Sequence, residues 1–448
     1  MLRAVGANGI DDLFESVPSA VRLGRPLDMP DGVSEMEAAS AVRVLADANT
    51  PATRLVSFAG AGCYDHYVPA VVDHVVRRPE FFTAYTPYQP EVSQGTLQNI
   101  YEFQTMICEL TGMDVANASM YDGATAFVEA ALMASRVTKR HKVVVAGSVH
   151  PEWRAVLSTY AASGNIEVVT CPVLSGMVAA GAAADLIDDS TAALLVSSPN
   201  FLGHLEDLAA LGEVARAAGA LFVVSVNPIL SGVLEPPSSF GADIVVGEGQ
   251  PLGNPMSLGG PGLGFFACRE AHLRQLPGRI VGRTVDVDGR GAFVLTMQTR
   301  EQHIRREKAT SNICSNHALN ALAALVHLSW LGRQGLAELG LLCARKTAYL
   351  RQALLALPGV TAFTEGPVFR EFAVRLPVPA AQLVEALVPL GFLAGVPAAR
   401  FAAQFGGADG DLDGVLLVAV TEKRRRAEMD AFVAAVAAHL ASPEVSHA

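Results

Sequence analysis

Between Phe82 and Gly95 the chain reads Phe-Thr-Ala-Tyr-Thr-Pro-Tyr-Gln-Pro-Glu-Val-Ser-Gln-Gly, a dense run of hydroxyl, amide and aromatic side chains. Tyr85, Thr86, Tyr88, Gln89, Ser93 and Gln94 supply donors of the kind that grip a carboxylate or a phosphate when held rigidly. Glu91 stands among them as a group that can orient neighbouring donors. Pro87 and Pro90 keep the residues before them extended and reduce the entropy lost when the loop orders. A loop of this kind is costly to fold unless it contacts something, whether outside its domain or on it. Upstream, Gly60-Ala61-Gly62-Cys63-Tyr64-Asp65-His66-Tyr67 is similarly rich.

Three other segments invite a chemical reading. In Met120-Tyr121-Asp122-Gly123-Ala124-Thr125-Ala126 a turn with glycine runs into a helix expected over Phe127–Val137, and free amides at a helix start favour an anion. An ordinary Asp-Gly helix entry would look the same. Gly259 to Ala267 contains G-x-G-x-x-A, but a turn-like run precedes it and strand-like Phe265-Phe266 follows, so a dinucleotide fingerprint is not expected. Lys423-Arg424-Arg425-Arg426 reads as the solvated face of a last helix rather than a polyanion site. The six cysteines form no CxxC pair, which points to structural thiols in a reducing compartment and implies no metal site.

Behind these segments, short β-branched runs alternate with helical patterns. Strands are expected at Val143–Ala146, Ile166–Val169, Ala193–Val196, Leu221–Val224 and Asp243–Val246, with helices opening at Pro151 and spanning Glu206–Ala218. This rhythm, with strands apolar throughout, predicts a mainly parallel sheet covered on both faces. A helix from Asn316 to Gly332 leads away from it. An α+β tail follows: helices at Leu341–Leu355 and Ala380–Leu387, strands at Phe372–Leu376 and Leu416–Val420, and a last helix with Thr421 as its N-cap. The division expected is an arm over 1–60, a large domain over 61–332 and a small domain over 333–448. A chain of 448 residues is long for one core. With 51% hydrophobic and 17% charged residues it implies extensive subunit contact. A net charge of -11 argues against nucleic acid and anionic membranes. Neither a leader pattern nor 18 uninterrupted apolar residues is found, so a soluble cytoplasmic protein is expected.

Six ordered segments carry a family resemblance across essentially the whole chain. They are Gly62–Pro69, Ala84–Gly95, Asn117–Ala126, Ser198–Gly203, Gly241–Gln250 and Ala309–Asn316. Together they resemble subunit 1 of the two-chain glycine decarboxylase (P-protein) of the glycine cleavage system. The resemblance implies the type I pyridoxal-phosphate (PLP) transferase fold and an alpha2-beta2 assembly with glycine decarboxylase subunit 2. It also implies a reaction that decarboxylates glycine on PLP and passes the aminomethyl group to the lipoamide of H-protein. That fold needs a Schiff-base lysine in the loop after a late strand. Here the loop after Ile244-Val245-Val246 is Gly247-Glu248-Gly249-Gln250, and Lys139, Lys142, Lys308, Lys346 and Lys423 all lie elsewhere. The carboxylate wanted beside the pyridine nitrogen is also missing, because Asn227 follows Leu221–Val226. Both gaps fit a subunit whose cofactor is held covalently by the partner. No residue is then catalytic in this chain alone. The loop Tyr85–Gln94 is expected to act across the interface, and Ser311 and Asn312 are weaker candidates for reaching the cofactor phosphate. A scaffold that only docks H-protein remains open, as does a self-sufficient PLP lyase or transaminase, which the missing lysine opposes.

Overall fold

The computed structural model describes residues 1–164, 166–402 and 411–442. Residues Met1–Arg54 form one unit and Leu55–Ala448 another. The first holds short 3-10 turns and helix α1, Glu35–Asp47. Ser34 caps α1: its hydroxyl accepts from the Glu37 amide at 3.3 Å while the Glu37 carboxylate accepts from the Ser34 amide at 2.9 Å. These helical segments bury no side chain and have no core of their own.

The second unit is organised by a seven-stranded sheet. Its strands are β1 Val115–Ala116, β2 Lys142–Ala146, β3 Glu167–Cys171, β4 Thr191–Ser198, β5 Leu221–Val226, β6 Ile244–Glu248 and β7 Gly264–Cys268. The order across the sheet is β1-β7-β6-β5-β4-β2-β3, parallel from β3 to β6, with β7 antiparallel to its two neighbours. Val143, Val144, Val145, Leu194, Val223 and Val245 are fully buried, as strands covered on both faces require. The helices over them include α2 Gln94–Thr111, α3 Gly123–Thr138, α4 Pro151–Gly164 and α5 Leu208–Ala217. Each expected strand is present within a few residues. Phe265 and Phe266 lie in β7, so the glycine-rich run before them enters a strand and not a helix.

The hairpin β8 Ile280–Val285 with β9 Gly291–Thr296 corresponds to no expected element. Its turn is built by Asp286, whose carboxylate accepts from the amides of Asp288 and Arg290. Helix α6 runs Ala318–Leu355, merging two expected helices across a break at Gly332 (φ 62°). A second sheet, in the order β10-β11-β13-β12, is antiparallel throughout: β10 Thr361–Ala362, β11 Glu371–Arg375, β12 Val396–Pro397 and β13 Val415–Ala419. Helices α7 Ala380–Leu387 and α8 Arg426–Leu440 cover it. No helix among the described residues is long and apolar enough to cross a membrane.

Two expectations at α8 need correction. Arg425, not Thr421, is its N-cap, with Glu428 closing the box. Thr421 is buried and donates its hydroxyl to the Asp65 carbonyl at 2.8 Å. The basic cluster is likewise only half a solvated face. Lys423 and Arg424 pair with Asp65 at 2.5 and 3.0 Å, and Arg424 is buried, whereas Arg425 and Arg426 are exposed. The half-buried Asp65, remote in sequence, attracts the first two charges.

That residue belongs to a segment that ties itself to the small sheet's core. Val56 and Ser57 pair in parallel with Phe392 and Leu393, and fully buried Phe58 stacks on Phe432 with ring centroids 4.2 Å apart. Truncating Phe58 removes both the burial and the stacking. Phe58→Ala is therefore expected to cost about 3–5 kcal/mol, read as a lowered melting temperature by calorimetry.

Candidate functional site

In open α/β sheets, ligands bind beyond the carboxyl ends of parallel strands. At those ends this chain sets His150 after β2, Ser197 and Asn200 at β4, Ser225 and Asn227 at β5, and Glu248 at β6. Gly62, Tyr64 and Phe369–Glu371 close the opposite side. The free volume between them is about 70 Å³, against roughly 300–1,000 Å³ for pockets that take cofactor-sized ligands.

Glu248 accounts for the closure. Its Oε2 accepts from the Gly123 amide at the start of α3 at 2.9 Å, and its Oε1 accepts from the amides of Leu263 and Gln250 at 2.8 and 2.9 Å. Asp122 serves the same helix end, accepting from the Thr125 amide at 2.7 Å. The anion expected at this helix start is therefore present, and it is the chain's own carboxylate. Burial, and then the Asp122 charge, push the Glu248 pKa up, while the three amides oppose them. The glycine-rich run serves this contact: a Cβ on Gly262 would lie 3.0 Å from Glu248 Oε2, and one on Gly123 would lie 2.4 Å from the Trp153 ring.

PLP does not fit here. A phosphate would have to displace Glu248 from α3, and the β6 loop offers no amine. Asn227 is buried at the β5 end, but its Oδ1 accepts from the Ile229 amide at 2.9 Å, and it brings no charge for a pyridine nitrogen.

A second buried network forms the opposite wall. Glu371 accepts from the Tyr64 hydroxyl and the Ala61 amide, both at 2.7 Å. The Arg370 guanidinium lies 3.4 Å from the Tyr64 ring centre and donates from Nη1 to His66 Nε2 at 2.8 Å. His66 in turn donates from Nδ1 to Glu422 at 2.6 Å. Burial holds the His66 pKa low, consistent with the neutral ring this relay needs. Burial raises the Glu371 pKa, and burial followed by the Glu371 charge raises that of Tyr64. Arg370 adopts a left-handed backbone (φ 61°), strain of the kind that persists only where surroundings enforce it. His150 donates from Nε2 to the Ala61 carbonyl at 2.8 Å, packed against Gly62 (φ 100°), where a Cβ would approach that nitrogen to 2.7 Å.

The loop singled out in the sequence lies elsewhere in this unit, beside a cleft of about 160 Å³ that Tyr85, Thr86, Asn99, Arg279 and Asn316 line. Tyr85 is 88% exposed, Tyr88, Gln89 and Glu91 are exposed, and Thr86 and Ser93 are half-buried. The loop is anchored from behind. Pro87 is buried, and Gln94 spends its amide on β9, accepting from the Phe293 amide and donating to its carbonyl, both at 2.9 Å. Arg279 donates to the Tyr88 hydroxyl at 3.3 Å and pairs with Glu301 at 3.5 Å. The Ser311 hydroxyl accepts from the Ile313 amide at 3.0 Å, and exposed Asn312 meets Tyr160 at 3.5 Å. Sequence reading missed Glu248, Arg370 and Arg279 as site residues. Glu248 had a signal, a lone carboxylate between two glycines after an apolar strand. Arg370 and Arg279 had none.

The glycine cleavage system P-protein family matches residues 1–388. The probable glycine dehydrogenase (decarboxylating) subunit 1 of Desulforamulus reducens is 51% identical over 98% of this chain and 97% of its own length. That of Moorella thermoacetica is 50% identical over 98% and 97%. A crystal structure of glycine decarboxylase (P-protein) of the glycine cleavage system, in inhibitor-bound form, superposes with a TM-score of 0.89 at 44% identity, covering 98% of this chain and 97% of that one. A NifS-like protein (TM-score 0.64, 12% identity) and a sphingosine-1-phosphate lyase from Burkholderia pseudomallei K96243 (0.66, 16%) share only the fold, that of type I PLP-dependent enzymes.

The plugged pocket has a direct consequence. Borohydride reduction of the purified chain with excess PLP is expected to leave no stoichiometric pyridoxyl-lysine by peptide mass spectrometry. Full labelling of any one lysine would contradict the closed pocket.

Proposed function

The chain belongs to the glycine cleavage system P-protein family, as a glycine dehydrogenase (decarboxylating) subunit of the oxidoreductase class, and on that premise we propose that it completes the active site of a second, lysine-bearing subunit. In this reading the partner is glycine decarboxylase subunit 2, the assembly is an alpha2-beta2 heterotetramer, and PLP is held covalently on the partner. The substrate is glycine, and the lipoamide arm of H-protein receives the aminomethyl group.

One observation carries the reading. Tyr85, at 88% exposure, stands on a loop that is pinned by Pro87, Tyr88 and Gln94, yet its ring and hydroxyl make no hydrogen bond among the described residues. A rigid mount with free donors suits recognition of a carboxylate presented from outside the chain. Thr86, Gln89 and Ser93 supply further donors around it, with Glu91 orienting them. Gln94 acts from behind by holding the loop to β9. Ser311 and Asn312 are the residues proposed to approach the partner's cofactor phosphate.

Association should be obligate. The chain combines a low charged fraction with a first unit that has no core, and obligate interfaces resemble a core cut in half. Expressed alone, it is expected to self-associate or precipitate, and co-expression with the partner to rescue it. A stable monomer that ignores the partner in analytical ultracentrifugation would count against this.

The trans role is tested by Tyr85→Phe and Gln89→Ala in the assembled complex. Each is expected to leave assembly intact and slow glycine–bicarbonate exchange by at least about tenfold, the scale of one charge-assisted contact of roughly 1.5 kcal/mol. If the loop merely packs the interface, the same substitutions weaken assembly in proportion to activity. Intact tetramers with normal exchange would refute the role.

A further inference from the structure

The pocket that cannot hold PLP is not inert in its hydrogen bonding. Its acceptors are matched: both oxygens of Glu248 and both of Glu371 already receive donors from the chain. Its donors are not. Arg370 spends Nη1 on His66, and among the described residues its Nη2 and Nε meet no acceptor. Asn227 accepts through Oδ1, and its Nδ2 amide has no acceptor among the described residues. The same holds for the hydroxyl of Ser225, one residue-pair below on the same strand end. All three are deeply buried, at 5%, 8% and 2% exposure, and all three line the cavity. These donors face the cavity without a partner from the chain, so a ligand bearing acceptors can replace the water that otherwise meets them.

The size and charge of that ligand follow. A water needs about 10–15 Å³ of such volume, so about 70 Å³ takes roughly five, the bulk of a molecule with four or five heavy atoms. A planar guanidinium edge suits a carboxylate, which can take two parallel hydrogen bonds. Arg370 lines the cavity with its guanidinium over the Tyr64 ring and its backbone in the left-handed region. Half-buried Gly62, Tyr64, His150 and Trp153 form the rim.

We propose that this pocket is a non-covalent site for a small carboxylate of two or three carbons, gripped by Arg370, Asn227 and Ser225. Acetate is the simplest such ligand, and glycine adds an ammonium group that the carboxylates of Glu248 and Glu371 would favour. The site lies wholly within this chain, so it stands whether or not the loop Tyr85–Gln94 acts on a partner.

The test uses the full chain assembled with its partner and carboxyl-labelled acetate, followed by carbon-13 line broadening. The decisive variant is Asn227→Asp. It keeps the oxygen that caps Ile229 and sets a negative charge on the cavity wall. Wild type is expected to bind acetate at millimolar concentration, and Asn227→Asp to weaken this component by at least about tenfold. Ser225→Ala removes a donor without adding volume and should weaken binding in the same direction, which covers a failure of the aspartate variant to assemble. Glycine competing for the bound acetate in both wild type and a partner-site-blocked complex identifies the amino acid as a ligand; acetate bound without such competition identifies a plain carboxylate. Equal acetate affinity in wild type and in both variants, or no binding to the wild type, overturns the proposal.

Discussion

The contact between the Glu248 carboxylate and the first amide of α3 sets the terms for everything around it. A helix start leaves amides that must be satisfied, and a buried carboxylate must find donors. Here each solves the other's problem across two segments that lie 125 residues apart in the chain. The consequences spread outward. The glycine-rich run must come close enough to give the Leu263 amide to Glu248, and Gly123 must stay bare beneath Trp153. The anion position is filled from within, and Asn227 can cap a turn instead of supplying a charge.

A second constraint holds the opposite wall. Tyr64, Asp65 and His66 come from one short segment, and each binds a different group from the C-terminal part: Glu371, the Lys423–Arg424 pair and Glu422. Among these contacts Arg424–Asp65 is the largely buried ion pair; such a pair contributes little net stability over a well-packed apolar alternative, but breaking one side leaves an uncompensated charge at a cost of about 3–5 kcal/mol. What these contacts secure is position. The relay from Glu422 through His66 to Arg370 fixes where one guanidinium edge points, and it does so with a neutral imidazole that burial keeps from charging.

The strand ends and their loops are closed around internal partners, while the polar aromatic loop near the start of α2 is anchored on one side and open on the other. Gln94 and Tyr85 illustrate the split. They sit nine residues apart in the same motif, with similar donor chemistry, and one is consumed by β9 while the other faces outward.

Strand order and helix placement were legible because burial on both faces writes itself as runs such as Val143-Val144-Val145, and because helix entries carry local signals such as Asp122-Gly123. The absent lysine after β6 was equally legible, since a missing residue type needs no geometry to recognise. Local patterns could not reveal contacts between segments far apart. Nothing near Thr421 says that Asp65 will claim its hydroxyl, so the cap was misplaced by four residues. The hairpin over 280–296 depends on a turn that Asp286 builds and on packing against α2 that short strands do not advertise. The sequence by itself determined the fold class, the family and the absence of lysine from the loop after β6, because each resides in residue types and periodicities along one stretch of chain. Only the tertiary structure decided that Glu248 is the anion at α3 and that Arg370 joins Asn227 and Ser225 in lining one cavity. Both depend on which distant backbone amides and side chains are brought within 3 Å, and that is settled by packing of the whole sheet.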